Sequence, residues 1–435
     1  MGAEADITAI AVFSRLWVSA MALLSAALIT PYDTSAASHS SSIFRAFGTW
    51  DGVYFIDIAA DGYVYENSHA FFPLFALLTR HASALFTPFV ESSTALLVAG
   101  WCISNVSFVL AAQYLYLLGK ILLQNDKLAR RSAIFFCFCP SGIFMSSCYS
   151  ESLMCALSFG GMYYLELYRT QSTSPSRTLF LVASASLFGL SSATRSNGLL
   201  LSRLHPSSLP GLTRLVVFIA YYRLIESPSA FAGWARFLSY WAFTALLGIV
   251  AIGPQLLYFS YGIAAYCPSL ALSLTPVTAL FGIESRMTAD RPWCTKVVPN
   301  FSAMYMFIQK EYWGVGPFAY YQVKQIPNFL LATPMLLLAT YCLIVYWRWS
   351  PRAAPVVLPV QLQPYMVHLA FLVANALVVL HIQVITRFLC ANPPVFWAAG
   401  HLSMTYPSAS KALLLYALVF SVLGAVLFPS FYPWT

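Results

Sequence analysis

The sequence predicts an all-α membrane protein of many spans, and three observations carry that reading. Of the 435 residues, 59% are hydrophobic and only 9% charged, whereas a soluble domain has about 25% charged residues. Mean hydropathy is +0.71. Apolar windows near the ~20 residues that one bilayer crossing requires recur along the whole chain. The formal net charge of +8 does not point to nucleic acid, because no long basic run is interleaved with aromatics. The Lys and Arg instead gather in short loops, as on the cytoplasmic side of membrane proteins.

In chain order, candidate spans fall at about 8–30, 70–90, 94–119, 132–149, 151–168, 178–200, 212–225, 237–260, 327–347, 363–382, 388–404 and 412–430. That corresponds to about 10–12 membrane helices. Residues 1–6 contain Glu4 and Asp6 and lack a basic n-region, and no clear cleavage site follows. The first span therefore reads as retained rather than as a signal peptide. Pro140, Pro254 and Pro334 interrupt later spans. Such breaks are tolerated where protein or a cavity satisfies the backbone. Two longer non-membrane segments remain, 31–69 and 261–326, with no internal repeat, coiled coil or separable soluble domain. Residues 1–435 are expected to form a single integral membrane unit.

The topology signals conflict at one place. Basic loops at 120–131, 169–177 and 348–352 favour the cytoplasm. The sequon Asn300-Phe301-Ser302 favours the lumen for the second long segment. If 31–69 is lumenal and 70–90 and 94–119 both cross, then 120–131 is lumenal against its charge. Either a helix between 70 and 149 is re-entrant, or the charge rule fails there.

Cysteine usage separates into two kinds. Cys137, Cys139, Cys148 and Cys155 lie in apolar surroundings with no histidine spaced to complete a zinc site, and read as packing residues. Cys267 and Cys294 share the long polar loop. They are a candidate disulfide if that loop is lumenal, with free thiols the alternative.

Five polar constellations interrupt the apolar pattern. The first follows the first span, where Asp51, Asp57, Asp61 and Glu66 crowd into sixteen positions. Acids at a membrane face suggest a site, with Asp51 as a general base. The plain alternative is a solvated loop with acids at helix N-termini. The second is Glu151, after the break at Pro140. It either holds a substrate hydroxyl or sits at a helix N-terminus for structural reasons. The third, Thr194-Arg195-Ser196-Asn197-Gly198, ends an apolar run. Arg195 suits a phosphate through its planar fork, or stabilises a helix end stopped by Gly198. The fourth runs from Tyr312-Trp313-Gly314 to Lys324-Gln325-Ile326 and also reads as an aromatic interfacial helix. The fifth, His381-Ile382-Gln383 through Arg387, places polar groups between apolar runs, to line a cavity or bind phosphate, or to snorkel at the interface. A Walker loop, a dinucleotide fingerprint, HExxH, a Gly-x-Ser-x-Gly elbow and an Asp-x-Asp pair are all absent. This narrows an enzyme reading to lipid-carried substrates.

At these motifs the chain resembles the PIG-V family, which adds the second mannose during glycosylphosphatidylinositol (GPI) anchor assembly. The resemblance rests on Trp50-Asp51, Ile58-Ala59, Gly62-Tyr63 and Phe71-Phe72-Pro73, then Tyr149-Ser150-Glu151 and Arg195-Ser196-Asn197-Gly198. Tyr312-Trp313-Gly314-Val315-Gly316, Lys324-Gln325-Ile326-Pro327-Asn328-Phe329, Gln383-Val384-Ile385-Thr386-Arg387-Phe388-Leu389 and Pro433-Trp434-Thr435 complete it, in family order over residues 50–435. Cys139-Pro140 departs from an expected Asn-Pro, and Pro317-Phe318-Ala319 interrupts the long-loop motif. Asp57 and Asp61 stand where acids are not expected, which leaves Asp51 in front.

The resemblance implies a GT-C glycosyltransferase fold with its site at the lumenal face, in a multi-pass protein of the endoplasmic reticulum membrane. It implies dolichyl-phosphate mannose as donor and a GPI precursor carrying one mannose as acceptor, joined through an inverting α1,6 transfer. Asp51 would be the base, with Arg195, Arg387 or Lys324 near phosphate. Trp50, Glu66, Glu151, Asn197, Trp313, Gln325 and Gln383 would contact substrate. No cofactor or metal is expected. Membrane lipid surrounds the protein, and a small membrane subunit stays an open partner. The alternatives are another dolichol-dependent transferase of the same fold, a non-catalytic subunit, or a transporter for lipid-linked sugars. The loop 261–326 is expected to be a lumenal lid carrying the cysteine pair and the Asn300 sequon.

Overall fold

A computed structural model describes residues 2–33, 42–171, 175–195, 214–226, 233–271, 287–298, 300–348 and 360–433. Within them the regular structure is entirely helical. The helices are α1 (Ala3–Leu28), α2 (Asp51–Asp61), α3 (Pro73–Ser83), α4 (Ser92–Leu123), α5 (Asp126–Cys137), α6 (Gly142–Ser146), α7 (Glu151–Thr170), α8 (Arg177–Ser192) and α9 (Arg214–Glu226). They continue with α10 (Trp234–Tyr266), α11 (Pro268–Ala271), α12 (Ala303–Trp313), α13 (Ile326–Arg348), α14 (Gln363–Val378), α15 (Ile385–Phe388), α16 (Pro393–Thr405) and α17 (Pro407–Leu427). Among the described residues, five helical stretches are long and apolar enough to cross a membrane: Ala3–Leu28, Ser92–Leu123, Trp234–Tyr266, Val323–Trp347 and Pro407–Ser430.

Several predicted spans are shorter or broken. The 70–90 span is α3, whose 11 residues rise only about 16 Å, half of the ~30 Å hydrocarbon core. The 132–149 span is divided at Cys139-Pro140 into α5 and α6. By contrast, Pro254 and Pro334 lie inside α10 and α13, which continue through them.

The shortness of α3 resolves the topological conflict. At one end of the bundle, Lys120 at the end of α4 lies 4.0 Å from Glu4 and Arg130 lies 3.4 Å from Asp6. At the other end, α1 leaves beside the end of α17, where the Ser25 hydroxyl donates to Val426 O (2.6 Å) and Tyr32 N to Ser430 O (2.8 Å). The basic loop at 120–131 thus sits with the N-terminus, opposite the acidic first loop. Between these two loops, α4 alone is long and apolar enough to cross a membrane.

The break between α5 and α6 is held by a residue that the apolar pattern conceals. Arg15, on α1 and 3% exposed, donates to Gly142 O (2.6 Å), Ser146 Oγ (3.1 Å) and Cys137 O (3.2 Å). Its guanidinium also lies 3.8 Å from the centre of the Phe108 ring. One guanidinium thereby bridges the last turn of α5 and the first turn of α6, across the break in the helix ladder.

The largest apolar core joins α4, α5, α7, α14 and α16. Phe136 is at its centre, stacked on Phe108 (4.7 Å) and edge-on to Phe159 (5.7 Å) and Phe396 (5.1 Å). α8 meets α10 closely, since a Cβ on Gly189 would stand 2.5 Å from Val250 O. Near the basic end, fully buried Glu166 accepts from Tyr222 Oη (2.6 Å), Tyr365 Oη (2.9 Å) and Arg169 Nε (2.7 Å), tying α7 to α9 and α14. Two smaller clusters occupy the opposite end. One surrounds Phe47, Phe55 and Tyr149, and the other surrounds Tyr258, Trp293 and Met304.

Candidate active site

Asp51 is the first residue of α2, and the chain turns sharply to present it. Trp50 precedes it with φ 55°, ψ −127°, left-handed backbone that a large side chain adopts only when its surroundings impose it. Two contacts impose it here. The Asp51 N–H donates to Tyr149 Oη (2.9 Å), and Tyr149 Oη donates to Thr49 O (3.3 Å). Gly52 allows this approach, since a Cβ there would meet the Tyr149 ring at 3.3 Å. The loop carrying Tyr149 is in turn tied to the first loop by Cys148 N donating to Phe47 O (2.8 Å).

The carboxylate of Asp51 meets an arginine. Asp51 Oδ2 lies 2.8 Å from Arg387 Nη1. Arg387 is carried by the one-turn α15, and its side chain is only 12% exposed. The same Nη1 is 3.8 Å from Glu151 Oε1, at the start of α7. Glu151 is fully buried and also contacts Arg195, just beyond the end of α8. Four segments distant in sequence thus converge on an alternating row, Asp51–Arg387–Glu151–Arg195.

This row lines a cavity of about 240 Å³ together with Gln383 and Trp313. Six of the residues singled out from sequence therefore meet in one place. Gln383 Oε1 accepts from Tyr320 Oη (2.8 Å) and Asn328 Nδ2 (3.3 Å). Trp313 packs edge-on to Tyr54 and Phe71. His381, Tyr149, Gln309 and Asn375 line the cavity too. His381 and Tyr149 stood within the motifs already quoted. Gln309 and Asn375 sit inside helical runs, where nothing in the sequence marks their direction.

The other expectations place differently. Lys324 is exposed in the turn at Val323–Gln325 and does not line the cavity. Gln325 reaches it only through Asn328, whose Nδ2 donates to Gln325 Oε1 at 2.7 Å. Trp50 lies outside the lining, its ring 5.8 Å from that of Phe431. Asp57 and Asp61 line a separate hollow against the start of α4. Asn197 lies outside the described residues.

Glu66, expected as a substrate contact, instead fastens the long loop. Its side chain is 7% exposed. It accepts from Arg291 Nε (2.9 Å) and Nη2, Trp293 Nε1 (2.7 Å) and Tyr312 Oη (2.9 Å). Burial pushes the Glu66 carboxyl up, but these hydrogen bonds and the Arg291 charge outweigh it, so its pKa is lowered overall. Next to Trp293, Cys294 is bridged to Cys267. Asn300 Oδ1 accepts from Ser302 N (3.1 Å) and Oγ (2.7 Å). The stretches 287–298 and 300–313 are therefore pinned to the first loop beside the cavity, which Tyr305, Gln309 and Trp313 line. Among the described residues, no group of three His, Cys, Asp or Glu side chains is placed to share a metal ion.

The described residues thus define a class, a multi-pass helical membrane protein with an acid–arginine cavity at one end. Residues 4–435 match the family model described as Mannosyltransferase (PIG-V). The chain belongs to that family and is a glycosyltransferase. It is 32% identical over 413 residues to GPI mannosyltransferase 2 of Drosophila pseudoobscura pseudoobscura, covering 89% of this chain and 86% of the relative. It is 30% identical over 385 residues to human GPI alpha-1,6-mannosyltransferase 2, covering 81% and 72%. Among solved structures, an Archaeoglobus fulgidus oligosaccharyltransferase aligns at TM-score 0.44 and 14% identity, over 96% of this chain and 54% of that one. The chain thus spans about half the length of that enzyme.

Proposed function

We propose that this protein transfers mannose from dolichyl-phosphate mannose to the first mannose of a GPI precursor, through an α1,6 bond, at the lumenal face of the endoplasmic reticulum membrane. The observation that carries the reading is the cavity in which the partly exposed acid Asp51 stands beside Arg387, with Arg195 and the buried Glu151 close by. The names of the relatives supply the acceptor class and the linkage. The donor is β-linked and the product α-linked, so one direct displacement suffices.

In that displacement the acceptor hydroxyl oxygen attacks C1 of the donor mannose. Asp51 takes the hydroxyl proton as the bond forms. The C1–O bond to phosphate breaks, and its electron pair leaves with the phosphate. Arg387 and Arg195 stabilise the charge that develops there. Gln383 and Trp313 provide an amide and an aromatic face for sugar. The loop pinned by Glu66 keeps water from the activated mannose. The lipid tail would enter sideways from the bilayer, which accounts for a catalyst built on spans.

The test is rescue of cells lacking the second GPI mannosyltransferase. Expression should convert the accumulated one-mannose precursor into the two-mannose lipid, identified by mass. Failure to convert it, while another dolichol-dependent pathway is restored, would assign a different acceptor.

A further inference from the structure

Arg387 stands between two acids of different character. Asp51 keeps 35% of its side chain exposed, whereas Glu151 is fully buried. Arg387 Nη1 is 2.8 Å from the first and 3.8 Å from the second. Its guanidinium lies 4.7 Å from the Phe144 ring centre and 5.7 Å from that of Tyr149, and its buried Nε has no hydrogen-bond partner among the described residues. Two cations and two anions alternate along the row, so the row carries no net charge. An anionic ligand entering this site therefore competes with an acid for a cation.

We propose that Arg387 is a shared counter-ion, paired with Asp51 in the empty site and passing to the donor phosphate when the lipid binds, while Glu151 holds both arginines in place. This rests on the base-and-phosphate reading above. Glu151 becomes a positioning residue rather than a contact to sugar. Charge conservation favours the arrangement. The bound phosphodiester carries one negative charge, and after C1–O cleavage the released lipid phosphate carries two. Asp51 begins as a carboxylate and ends protonated. One negative charge has moved from Asp51 to phosphate, where Arg387 already stands, so the developing charge is met without any ion entering from water. A buried site with fixed, balanced charges needs little reorganisation for this step.

The proposal makes a prediction opposite to that of a simple ligand. If Asp51 competes with phosphate for Arg387, removing its charge should strengthen phosphate binding even as turnover is lost. The experiment measures dolichyl phosphate binding to the purified full-length protein in nanodiscs. Asp51→Asn should bind about tenfold tighter or more, because a charge-assisted hydrogen bond no longer competes. In an Arg387→Gln background the same substitution should change affinity by less than about twofold. Glu151→Gln should weaken binding, since the arginines lose their anchor. Should Arg387→Gln not fold, Arg387→Lys replaces it, and the gain should shrink there too because the fork is lost. Unchanged or weaker binding by folded Asp51→Asn overturns the proposal, as does a gain undiminished without Arg387. Mannose transfer by the same Asp51→Asn protein separates the two readings. Normal transfer with tighter binding removes the base assignment and leaves the counter-ion standing. Lost transfer with unchanged affinity does the reverse.

Discussion

Replacing Glu66 with alanine should release the long loop and destabilise the protein without touching a cavity residue. The carboxylate is 7% exposed and serves Arg291, Trp293 and Tyr312 together. Breaking a buried ion pair by removing one partner costs about 3–5 kcal/mol. Arg291 is 31% exposed and regains water, so the loss should lie near the lower figure, about 3 kcal/mol for Glu66→Ala, and about 1–2 kcal/mol for Glu66→Gln, which keeps one acceptor. The assay is thermal inactivation at a fixed scan rate, with limited proteolysis mapping cleavage in the segment 287–313. The effect has a defined pH window. The pKa of Glu66 is lowered in the folded state. Its contribution is thus complete above the unfolded glutamate range near ~4.3 and fades as pH falls through the lower folded value. Wild type and Glu66→Gln should differ fully at neutral pH and converge in acid. Equal inactivation and equal protease resistance of Glu66→Ala at pH 7 would refute the pinning of the loop.

Three further outcomes are expected. Arg15→Met should lower the yield of folded protein by removing the donor to Gly142 O and Cys137 O, at about 1–3 kcal/mol for each carbonyl left unmatched, and size-exclusion profiles compared with Arg15→Lys check it. Cys267→Ser, Cys294→Ser and the double variant should lose the same stability, about 3.5 kcal/mol for closing a separation of 27 residues, whereas unequal losses would show packing rather than the bridge at work. Arg195→Lys should reduce kcat/KM for the donor by about tenfold or more because the fork is lost while the charge remains, and full activity would remove Arg195 from the phosphate assignment.

The site was more legible than the spans, for a physical reason. In a chain with 9% charge, each ionisable residue between apolar runs is conspicuous, because burying it is expensive without a partner. Asp51, Glu151, Arg195 and Arg387 stood out on that ground and do meet. Hydropathy does not report how far a helix continues, so α3 and the α5–α6 pair read as whole spans. Arg15 is a single interruption in an apolar run, and its role depends on carbonyls more than 120 positions away. Glu66 pairs with Arg291 across 225 positions, a distance over which the sequence gives no register. Lys324 shows the converse limit. Its charge and motif are plain in the sequence, but the direction of its side chain is set by the turn before α13, which leaves it exposed.

The most direct measurement is mannose transfer by Asp51→Asn protein, assayed with dolichyl-phosphate mannose and a one-mannose GPI precursor. The substitution keeps the size of the side chain and removes the oxygen that would accept the proton. The backbone N–H of residue 51 can still donate to Tyr149 Oη, so the turn at Trp50 should survive and the protein should fold. Transfer should fall by at least ~100-fold, the lower range for loss of a general base, in protein whose size-exclusion profile shows that it is folded. A well-folded Asp51→Asn protein that transfers mannose at a near-normal rate would contradict the account.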